Sequence, residues 1–445
     1  MRAFPRPLRL TAALGLLSAG ICAAQAAPGV AEQSWPQWRG PLASGVTATA
    51  TPPITWSEES NVKWKVKLPG SGTSTPIIWG DRIFVQTAVP ASGKVADAET
   101  GGGGGAPRSI QPTEPYRFTL LCLDRATGKT LWERVAKEEI PHEGHHPDHG
   151  FSSHSPVTDG EHVWSFFGSR GLHCYSLDGQ HKWSKDLGRM RTRNGFGEGS
   201  SPALHGDTLV VNWDHEGDDF IAALDKKTGE ERWRQPRDES TSWSTPLIVE
   251  HGGRTQVVTA ATNRIRSYDL ETGKLVWECA GLTANTIPTP VTADGVVYAM
   301  SGFRGNALLA IRLGREGDLT GTDAIVWSHN KSTPYVPSPL LYHDRLYFLS
   351  NNAGILSCFD AKTGKPLIDA ERIPELIGVY ASPLGADGRV YLLGRNGAAV
   401  VIKDGEKLEV LARNKLDDRF DASPVAVGKE LFLRGHQSLY CIAEK

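Results

Sequence analysis

The chain has 445 residues, and its 48 lysines and arginines against 50 aspartates and glutamates give a formal net charge of −2. This balance excludes a nucleic-acid-binding surface built on bulk positive charge. After the first 24 residues, no stretch approaches the roughly 20 apolar residues that a membrane span requires. We therefore expect a protein with neither a nucleic-acid partner nor a transmembrane segment.

The N-terminus has the pattern of a secretory signal. Three arginines lie among the first nine residues, and an apolar, small-residue stretch follows from Leu10 to Ala24. Ala24-Gln25-Ala26 is a suitable cleavage site, which predicts a signal peptide over residues 1–26 and a periplasmic or secreted protein. Cys22 follows Ile21, where a lipoprotein signal has a small residue, so we do not expect a lipid anchor.

Residues 27–60 show no hydrophobic period and form a predicted N-terminal arm laid over a domain edge. The arm contains Ser34-Trp-Pro-Gln-Trp-Arg-Gly-Pro41, which is rich in aromatic and turn residues. The next segment, 61–66, alternates apolar and polar residues and carries Trp64. It predicts a strand that has no repeat of its own in front of it.

A nine-residue pattern then recurs along the chain. Asp124 to Trp132 reads Asp, two residues, Thr-Gly, three residues and Trp, and the pattern returns at Asp225 to Trp233 and Asp269 to Trp277. An alternating apolar run precedes each Asp, and Thr-Gly supplies the positive φ of a tight turn. The repeat therefore predicts strand, turn, strand, and its tryptophans are interpreted as packing between neighbouring units.

A second marker, a Pro preceded by Ser or Thr, opens one strand in every unit. It occurs eight times, at Pro76, Pro156, Pro202, Pro246, Pro290, Pro339, Pro383 and Pro424. Most intervals lie between 41 and 49 residues, the period of propeller blades. The long first interval contains an insert over 88–115, with five consecutive glycines.

Four antiparallel strands fit into each period, which predicts an all-β, eight-bladed β-propeller over residues 61–445. The last unit has only three strands, so the strand around Trp64 is expected to complete it. One blade would then be closed by the N- and C-terminal strands. Five cysteines remain after the leader with no adjacent pair, and we interpret them as small core residues. A monomer is favoured.

These repeats resemble those of the pyrroloquinoline-quinone-like (PQQ-like) propeller proteins, and Trp-x-x-Trp-Arg-Gly-Pro in the arm resembles that of the secreted single-domain bacterial type. The resemblance implies either a quinoprotein dehydrogenase, which holds PQQ and Ca²⁺ over a central funnel, or a non-enzymatic relative such as the outer-membrane-protein assembly lipoprotein. The chain has no counterpart of the dehydrogenases' disulfide between adjacent cysteines.

Topology predicts that the loop before each Ser/Thr-Pro strand and the loop between the second and third strands share one face, here called the upper face. Carboxylates and imidazoles cluster there in three loops, and such groups suit Ca²⁺, or Zn²⁺ if histidines dominate. The alternative is a solvated polar loop. The candidate metal ligands are His145, His146, His149, His154, Glu198, Asp214, His215 and Glu216.

The segment 142–146 also fits the His-Glu-x-x-His string of zinc proteases. That motif requires a helix, and Pro141, Pro147 and Gly144 exclude one here.

A ring of arginines with nearby aromatic residues on the same face could receive a planar anionic ligand such as a quinone. The alternative is that the arginines cap strand ends and pair with local carboxylates. The candidate cofactor-binding residues are Arg170, Arg264, Arg304, Arg395, Trp243, Tyr335, Tyr380 and Asn285.

The sequence therefore favours an exported binding or scaffold protein whose upper funnel receives a small ligand or a protein segment. The alternative is a Ca²⁺- and PQQ-dependent dehydrogenase of alcohols or sugars, in which Asp421 or Asp214 would be the general base. No cofactor is established by these patterns, although PQQ and Ca²⁺ are compatible with the resemblance.

Overall fold

The computed structural model describes Met1 and residues 33–93 and 109–444. The predicted signal peptide and the glycine run of the insert lie outside the described residues. Within the described residues, the regular structure consists of β-strands and three short 3₁₀ turns. The turns are Gly168–Arg170, Arg193–Gly195 and Ser350–Asn352. No helix in the described part of the chain is long and apolar enough to cross a membrane.

The strands form eight sheets, each built on four antiparallel strands, and the sheets are the blades of one propeller. Strands β1 (Val46–Thr47) and β2 (Val62–Lys67) precede the first blade. Blade 1 contains β3 to β6, at Ile77–Trp79, Arg82–Pro90, Tyr116–Asp124 and Thr130–Glu139. Blade 2 contains β7 to β10, at Val157–Thr158, His162–Phe166, Leu172–Ser176 and His181–Lys185. Blade 3 contains β11 to β14, at Ala203–His205, Thr208–Trp213, Phe220–Asp225 and Glu231–Pro236. Blade 4 contains β15 to β18, at Leu247–His251, Arg254–Ala260, Ile265–Asp269 and Leu275–Cys279.

The second half of the chain continues the pattern. Blade 5 contains β19, β20, β21 and β23, at Val291–Ala293, Val296–Ser301, Ala307–Arg312 and Ile325–His329, with β22 (Gly317–Asp318) inserted before its last strand. Blade 6 contains β24 to β27, at Leu340–Tyr342, Arg345–Leu349, Ile355–Asp360 and Pro366–Arg372. Blade 7 contains β28 to β31, at Leu384–Ala386, Arg389–Leu393, Ala398–Lys403 and Val410–Lys415. Blade 8 contains β32 to β34, at Val425–Val427, Glu430–Arg434 and Ser438–Ile442, and its fourth strand is β2.

The closure of blade 8 by both chain ends confirms the prediction for the strand around Trp64. Strand β2 pairs antiparallel with β34, and Trp64 lies opposite Cys441. The five described cysteines are all free and buried in the blade cores, which confirms their interpretation as packing residues. Burial raises the pKa of the Cys122 thiol to about 12, so this group is uncharged at neutral pH.

Five tryptophans at the repeat position each join one blade to the next. The Trp327 indole Nε1 donates to the carbonyl oxygen of Ala361 at 2.9 Å, and the ring lies against Gly364 of the following Thr-Gly turn. A Cβ atom at Gly364, whose φ is +70°, would lie 2.6 Å from that ring. The same contact recurs for Trp64 on Gly128, Trp132 on Gly179, Trp183 on Gly229 and Trp233 on Gly273.

Trp277 departs from this pattern because the next blade has an insertion in place of the Thr-Gly turn. Strand β22, within that insertion, pairs in parallel with β18 and places Gly317 beside Trp277. The Trp277 indole donates instead to the Gln256 side chain of its own blade, and the ring is fully buried. The insertion therefore covers the tryptophan that a turn would otherwise cover.

The Ser and Thr residues before the eight prolines form a closed ring of hydrogen bonds around the central axis. The backbone N–H of Thr75 donates to the hydroxyl oxygen of Ser155 in the next blade, and the pattern repeats until Ser423 donates to Thr75. The eight distances lie between 2.9 and 3.2 Å, and all eight residues are buried. The ring members are Thr75, Ser155, Ser201, Thr245, Thr289, Ser338, Ser382 and Ser423. Each blade thus contributes one donor and one acceptor to this ring.

The N-terminal arm reaches the central axis rather than lying only over an edge of the domain. Trp35 pairs with Ile78 in the innermost strand of blade 1, and β1 pairs in parallel with β28 of blade 7. Between these points the Arg39 guanidinium donates to the carbonyl oxygens of Pro339 and Pro383, at 2.7 and 2.6 Å. The arm therefore crosses from blade 1 to blades 6 and 7 on the inner side of the propeller.

Arg39 is 2% exposed, and its guanidinium is bound by backbone carbonyls. Burial lowers the pKa of Arg39 to about 9. Gly45 has a φ of +82°, and a Cβ atom there would lie 2.4 Å from the Arg39 guanidinium carbon. Glycine at this position therefore lets the arm fold back over the arginine.

Candidate functional site

A cavity of about 230 Å³ lies at the upper end of the central axis, directly above the hydroxyl ring. Ring members Thr75, Ser201, Thr245, Ser382 and Ser423 line it. Its other lining residues come from the loops that precede the innermost strands, together with Trp38 of the arm. The cavity thus lies on the face where the topology predicts the functional loops, and the arm supplies part of its wall.

Aromatic rings form much of the cavity wall. Trp38, Phe196, Trp243, Tyr335 and Tyr380 all line it. The Trp243 indole N–H donates to the Gly197 carbonyl at 2.7 Å, and the Tyr380 hydroxyl donates to Asp148 at 3.0 Å. The polar ends of these two rings are therefore satisfied within the protein, so the rings offer apolar surface to the cavity.

Two carboxylates, Asp148 and Asp421, also line the cavity. Arg395 bridges them, because its Nε donates to Asp421 and its Nη2 donates to Asp148, each at 2.7 Å. Arg419 contacts both carboxylates at 3.1 Å, and the Nε2 atom of His436 lies 2.8 Å from Asp421. Burial works to raise the pKa of Asp148, but the hydrogen bond and charge of Arg395 lower it below its usual value. Asp148 is therefore ionised at neutral pH.

The arginines that hold these carboxylates lie behind the wall, since none of the described residues that line the cavity is an arginine or a lysine. Arg395 is stacked on Tyr380, with its guanidinium carbon 3.9 Å from the ring centre. The two carboxylates and two guanidinium groups balance in formal charge. The cavity therefore presents carboxylate oxygens to a ligand while the surrounding cluster is close to neutral.

Two histidines complete the polar lining, and burial keeps both of them neutral. Burial lowers the pKa of His149 to about 3, and it also lowers the pKa of His146 against the opposing charge of Asp148. The His146 Nδ1 atom accepts the backbone N–H of Asp148 at 3.1 Å. The Ser153 hydroxyl oxygen lies 2.7 Å from His149 Nδ1 and also contacts the Thr73 hydroxyl. In the His146 ring the proton is thus assigned to Nε2, which makes that atom a donor.

The structure places only three of the predicted cofactor-binding residues in the cavity wall, namely Trp243, Tyr335 and Tyr380. Asn285 is buried beside Tyr335. Arg170 pairs with Glu139 and Glu198, and Arg264 pairs with Glu278 and Asp318. Arg395 pairs with Asp148 and Asp421, and Arg304 lies over the Phe303 ring at 5.4 Å. Three of the four arginines thus follow the alternative of local carboxylate pairing.

Of the two predicted general bases, Asp421 lies in the cavity wall with both oxygens bound by Arg395, Arg419 and His436. Asp214 is fully buried in an ion pair with Arg237, with 2.6 Å between Arg237 Nε and Asp214 Oδ1. It is not among the cavity-lining residues. Both carboxylates are thus bound in ion pairs with arginines of the protein.

The eight predicted metal ligands fall into separate local networks. His146 and His149 line the cavity, while His145 binds the His146 carbonyl through Nδ1 and His154 is buried against Phe166. His215 accepts the Arg191 N–H, and Glu216 accepts the Thr241 N–H and hydroxyl. Glu198 accepts from Ser169 and Arg170, whereas Asp214 is bound by Arg237.

Two groups of three potential ligand atoms within 4.8 Å of one another occur in the described part of the chain, His142–Glu143–Glu198 and Asp159–Glu161–His162. Only Glu198 belongs to the predicted set. In its group the Arg170 guanidinium donates to Glu198 at 3.1 Å and to His142 Nδ1 at 3.4 Å. A cationic side chain of the protein itself therefore already binds two of these three groups, and a metal at the histidine-rich loop stays a prediction.

Sequence reasoning missed Trp38 and Asp148 in the cavity lining, and Arg419 and His436, which bind the lining carboxylates from behind. Asp148 lies inside the histidine-rich loop, and its partner Arg395 is 247 residues away in the chain. No local pattern links two residues at that separation. Trp38 lies in a segment without a hydrophobic period, so nothing in the sequence indicated that it lines the central cavity.

The fold and these inter-blade contacts define the chain as an eight-bladed propeller of the PQQ-like repeat class. A family model described as "Outer membrane protein assembly factor BamB" matches residues 117–369. The chain belongs to this family. No protein of known, curated function matches it in sequence.

Solved structures similar to this one include a BamB protein and two dehydrogenases. BamB from Moraxella catarrhalis is 13% identical with a TM-score of 0.54, and the match covers 86% of this chain and 97% of that one. A quinohemoprotein alcohol dehydrogenase from Comamonas testosteroni is 11% identical with a TM-score of 0.62, covering 93% and 81% of the two chains. A europium-containing methanol dehydrogenase is 10% identical with a TM-score of 0.63, covering 92% and 90%. At these identities the similarity establishes the fold alone.

Proposed function

We propose that this protein is an exported binding protein that receives a small ligand, or the tip of a protein segment, in its upper cavity, without catalysing a reaction. The observation that carries the proposal is the cavity itself. Its polar groups are fixed by partners in the surrounding protein, and its aromatic rings present apolar surface. A concave site with aromatic walls and a few oriented polar groups is the usual form of a small-ligand site.

The same residues are poorly suited to catalysis. General acid–base chemistry needs a group whose proton can leave or arrive near neutral pH. Asp421 is held by three cationic or donor partners, and burial keeps His149 neutral down to a pH of about 3. These groups are arranged to hold a fixed hydrogen-bonding pattern.

The alternative function, a Ca²⁺- and PQQ-dependent dehydrogenase, requires the cavity to receive an anionic tricarboxylate. The cavity lining contains two carboxylates and neither an arginine nor a lysine, so its charge has the wrong sign for that ligand. The nearby Arg395 and Arg419 are already paired with Asp148 and Asp421. The donor set therefore does not fit the quinone, and no reaction step is derived through it.

Ligand screening with a variant whose cavity is filled tests the proposal. Ile287 lines the cavity, so Ile287→Trp should fill part of it. Val326→Trp is the matched control, because Val326 is 37% exposed on the outer strand β23 of blade 5. A library of small molecules and short peptides is screened by saturation-transfer NMR against the wild-type protein and both variants.

We expect at least one library member to bind the wild-type protein and the control, and not Ile287→Trp. Binding that survives in Ile287→Trp would place the site elsewhere and overturn the proposal. A parallel titration with PQQ and Ca²⁺ should leave the quinone absorbance unchanged. Quinone binding at micromolar concentrations, with dye reduction by an alcohol or sugar, would establish the dehydrogenase instead.

A further inference from the structure

The polar groups of the cavity are arranged as acceptors and donors around aromatic faces, with little net charge. Carboxylate oxygens of Asp148 and Asp421 are the acceptors. The Nε2–H group of His146 is a donor, because Nδ1 of that ring accepts the Asp148 N–H, and the imidazole of His149 adds a second polar edge. A ligand that matches this lining must carry hydroxyl-like groups that both donate and accept.

The charges of the cluster argue against an ionic ligand. An anion would face two carboxylates with no lysine or arginine in the lining. A cation would gain little, since Arg395 and Arg419 already neutralise the two carboxylates at distances of 2.7 to 3.1 Å. An uncharged ligand therefore loses the least solvation free energy that the cavity fails to replace.

The aromatic rings add a requirement for flat apolar faces. Trp243 is held by its hydrogen bond to Gly197 and Tyr380 by its bond to Asp148, so both rings keep a fixed orientation. Gly199 lies between Trp243 and His149, where a Cβ atom would be 3.2 Å from the indole and 3.9 Å from His149 Nε2. The absence of a side chain at Gly199 leaves room for a ligand to reach a ring face and an imidazole nitrogen together.

We propose that the cavity binds a neutral sugar ring, either as a free saccharide or as the end unit of a polysaccharide. A pyranose has apolar C–H faces for the aromatic rings and hydroxyl groups around its edge for the carboxylates and imidazoles. This inference rests on the proposed function, because it names the class of ligand for the same cavity. Trp38 gives the N-terminal arm a part in recognition, since it adds an aromatic surface to the wall.

The experiment measures binding of neutral hexoses, their disaccharides and the matched uronic acids and amino sugars by isothermal titration calorimetry. Pull-down on insoluble polysaccharides separates chain-end binding from binding of free saccharides. We expect at least one neutral sugar to bind, and its uronic acid and amino-sugar forms to bind at least roughly fivefold more weakly. An amino sugar or uronic acid that binds more tightly than its neutral parent would overturn the inference.

Two variants locate the binding. Trp243→Ala should raise the dissociation constant roughly tenfold by removing a stacking face, and Asp148→Asn should raise it similarly by removing the charged acceptor. Trp327→Ala is the matched control, because it removes a tryptophan that packs between blades away from the cavity. An equal loss of affinity in Trp327→Ala would mean a global effect and contradict the site.

The two proposals fail in distinguishable ways. If neutral sugars do not bind but another library member binds in a manner abolished by Ile287→Trp, the binding function stands and the sugar inference is wrong. If no ligand of any class binds the cavity, both are wrong.

Discussion

The hydroxyl ring makes a quantitative prediction that can be tested at Thr289. Its hydroxyl oxygen accepts the Thr245 backbone N–H at 3.0 Å, and the two residues are 3% and 8% exposed. Thr289→Val keeps the shape of the side chain and removes the acceptor. The Thr245 N–H then remains buried without a partner, which costs about 1 to 3 kcal/mol.

The expected change in melting temperature is small because the domain is large. An unfolding entropy of about 2.1 cal/mol/K per residue gives roughly 0.8 kcal/mol/K for a propeller of about 385 residues. A loss of about 2 kcal/mol therefore lowers the melting temperature by only about 2 to 3 °C. Urea unfolding followed by intrinsic fluorescence measures the free-energy change more directly.

Thr289→Ser is the matched control because it keeps the acceptor and loses only a methyl group. We expect it to cost less than Thr289→Val, by about 1 kcal/mol or more. If Thr289→Val is as stable as Thr289→Ser or the wild-type protein, the ring does not contribute to stability and the reasoning is refuted.

Three further predictions concern the turns, the arm and a buried histidine. Gly364→Ala should destabilise the fold by about 1 to 3 kcal/mol in urea unfolding, because its Cβ would clash with Trp327 and its φ is +70°; unchanged stability would contradict the docking role of the turn. Arg39→Met should make the arm several-fold more sensitive to limited proteolysis, because it removes the donors to the carbonyl oxygens of two blades; an equally resistant arm would show that other contacts hold it. Burial lowers the pKa of His154 to about 3, so between that value and about 6.5 the unfolded chain binds one proton more than the folded protein at this residue. The free energy of unfolding should therefore fall by about 1.4 kcal/mol per pH unit through the contribution of His154 as the pH decreases through that range. In His154→Gln, the slope of the free energy of unfolding against pH should be smaller by this amount.

The repeat in the sequence predicted the architecture because each unit carries its own local signals. The Thr-Gly turn and the tryptophan contact each other between neighbouring blades. A repeat of about 44 residues therefore contains most of the residues that fix their positions. The Ser/Thr-Pro marker was equally visible, but its role in the ring was not. A hydrogen bond from a backbone N–H to a hydroxyl in the next blade shows in the sequence only as a Ser or Thr before the proline.

The candidate site was much less predictable, because its contacts join distant parts of the chain. The charge of a side chain, read from the sequence, does not reveal whether that side chain is free to bind a ligand. Asp214 and Arg237 are 23 residues apart and neutralise each other in the core, whereas Asp148 meets Arg395 and Arg419 from the other half of the chain. Three of the four arginines that suggested an anion site by their spacing around the face are instead paired with carboxylates, and Arg395 is paired through such a long-range contact.

The pairing of β2 with β34 has a consequence for the order of events during synthesis. The nearest ends of these strands, Lys67 and Ser438, are separated by 371 positions in the chain. At a synthesis rate of about 5 to 20 residues per second, the first strand waits roughly 20 to 75 seconds for its partner. The propeller cannot close until its last residues have been made. The fold is thereby kept open until translation is nearly complete.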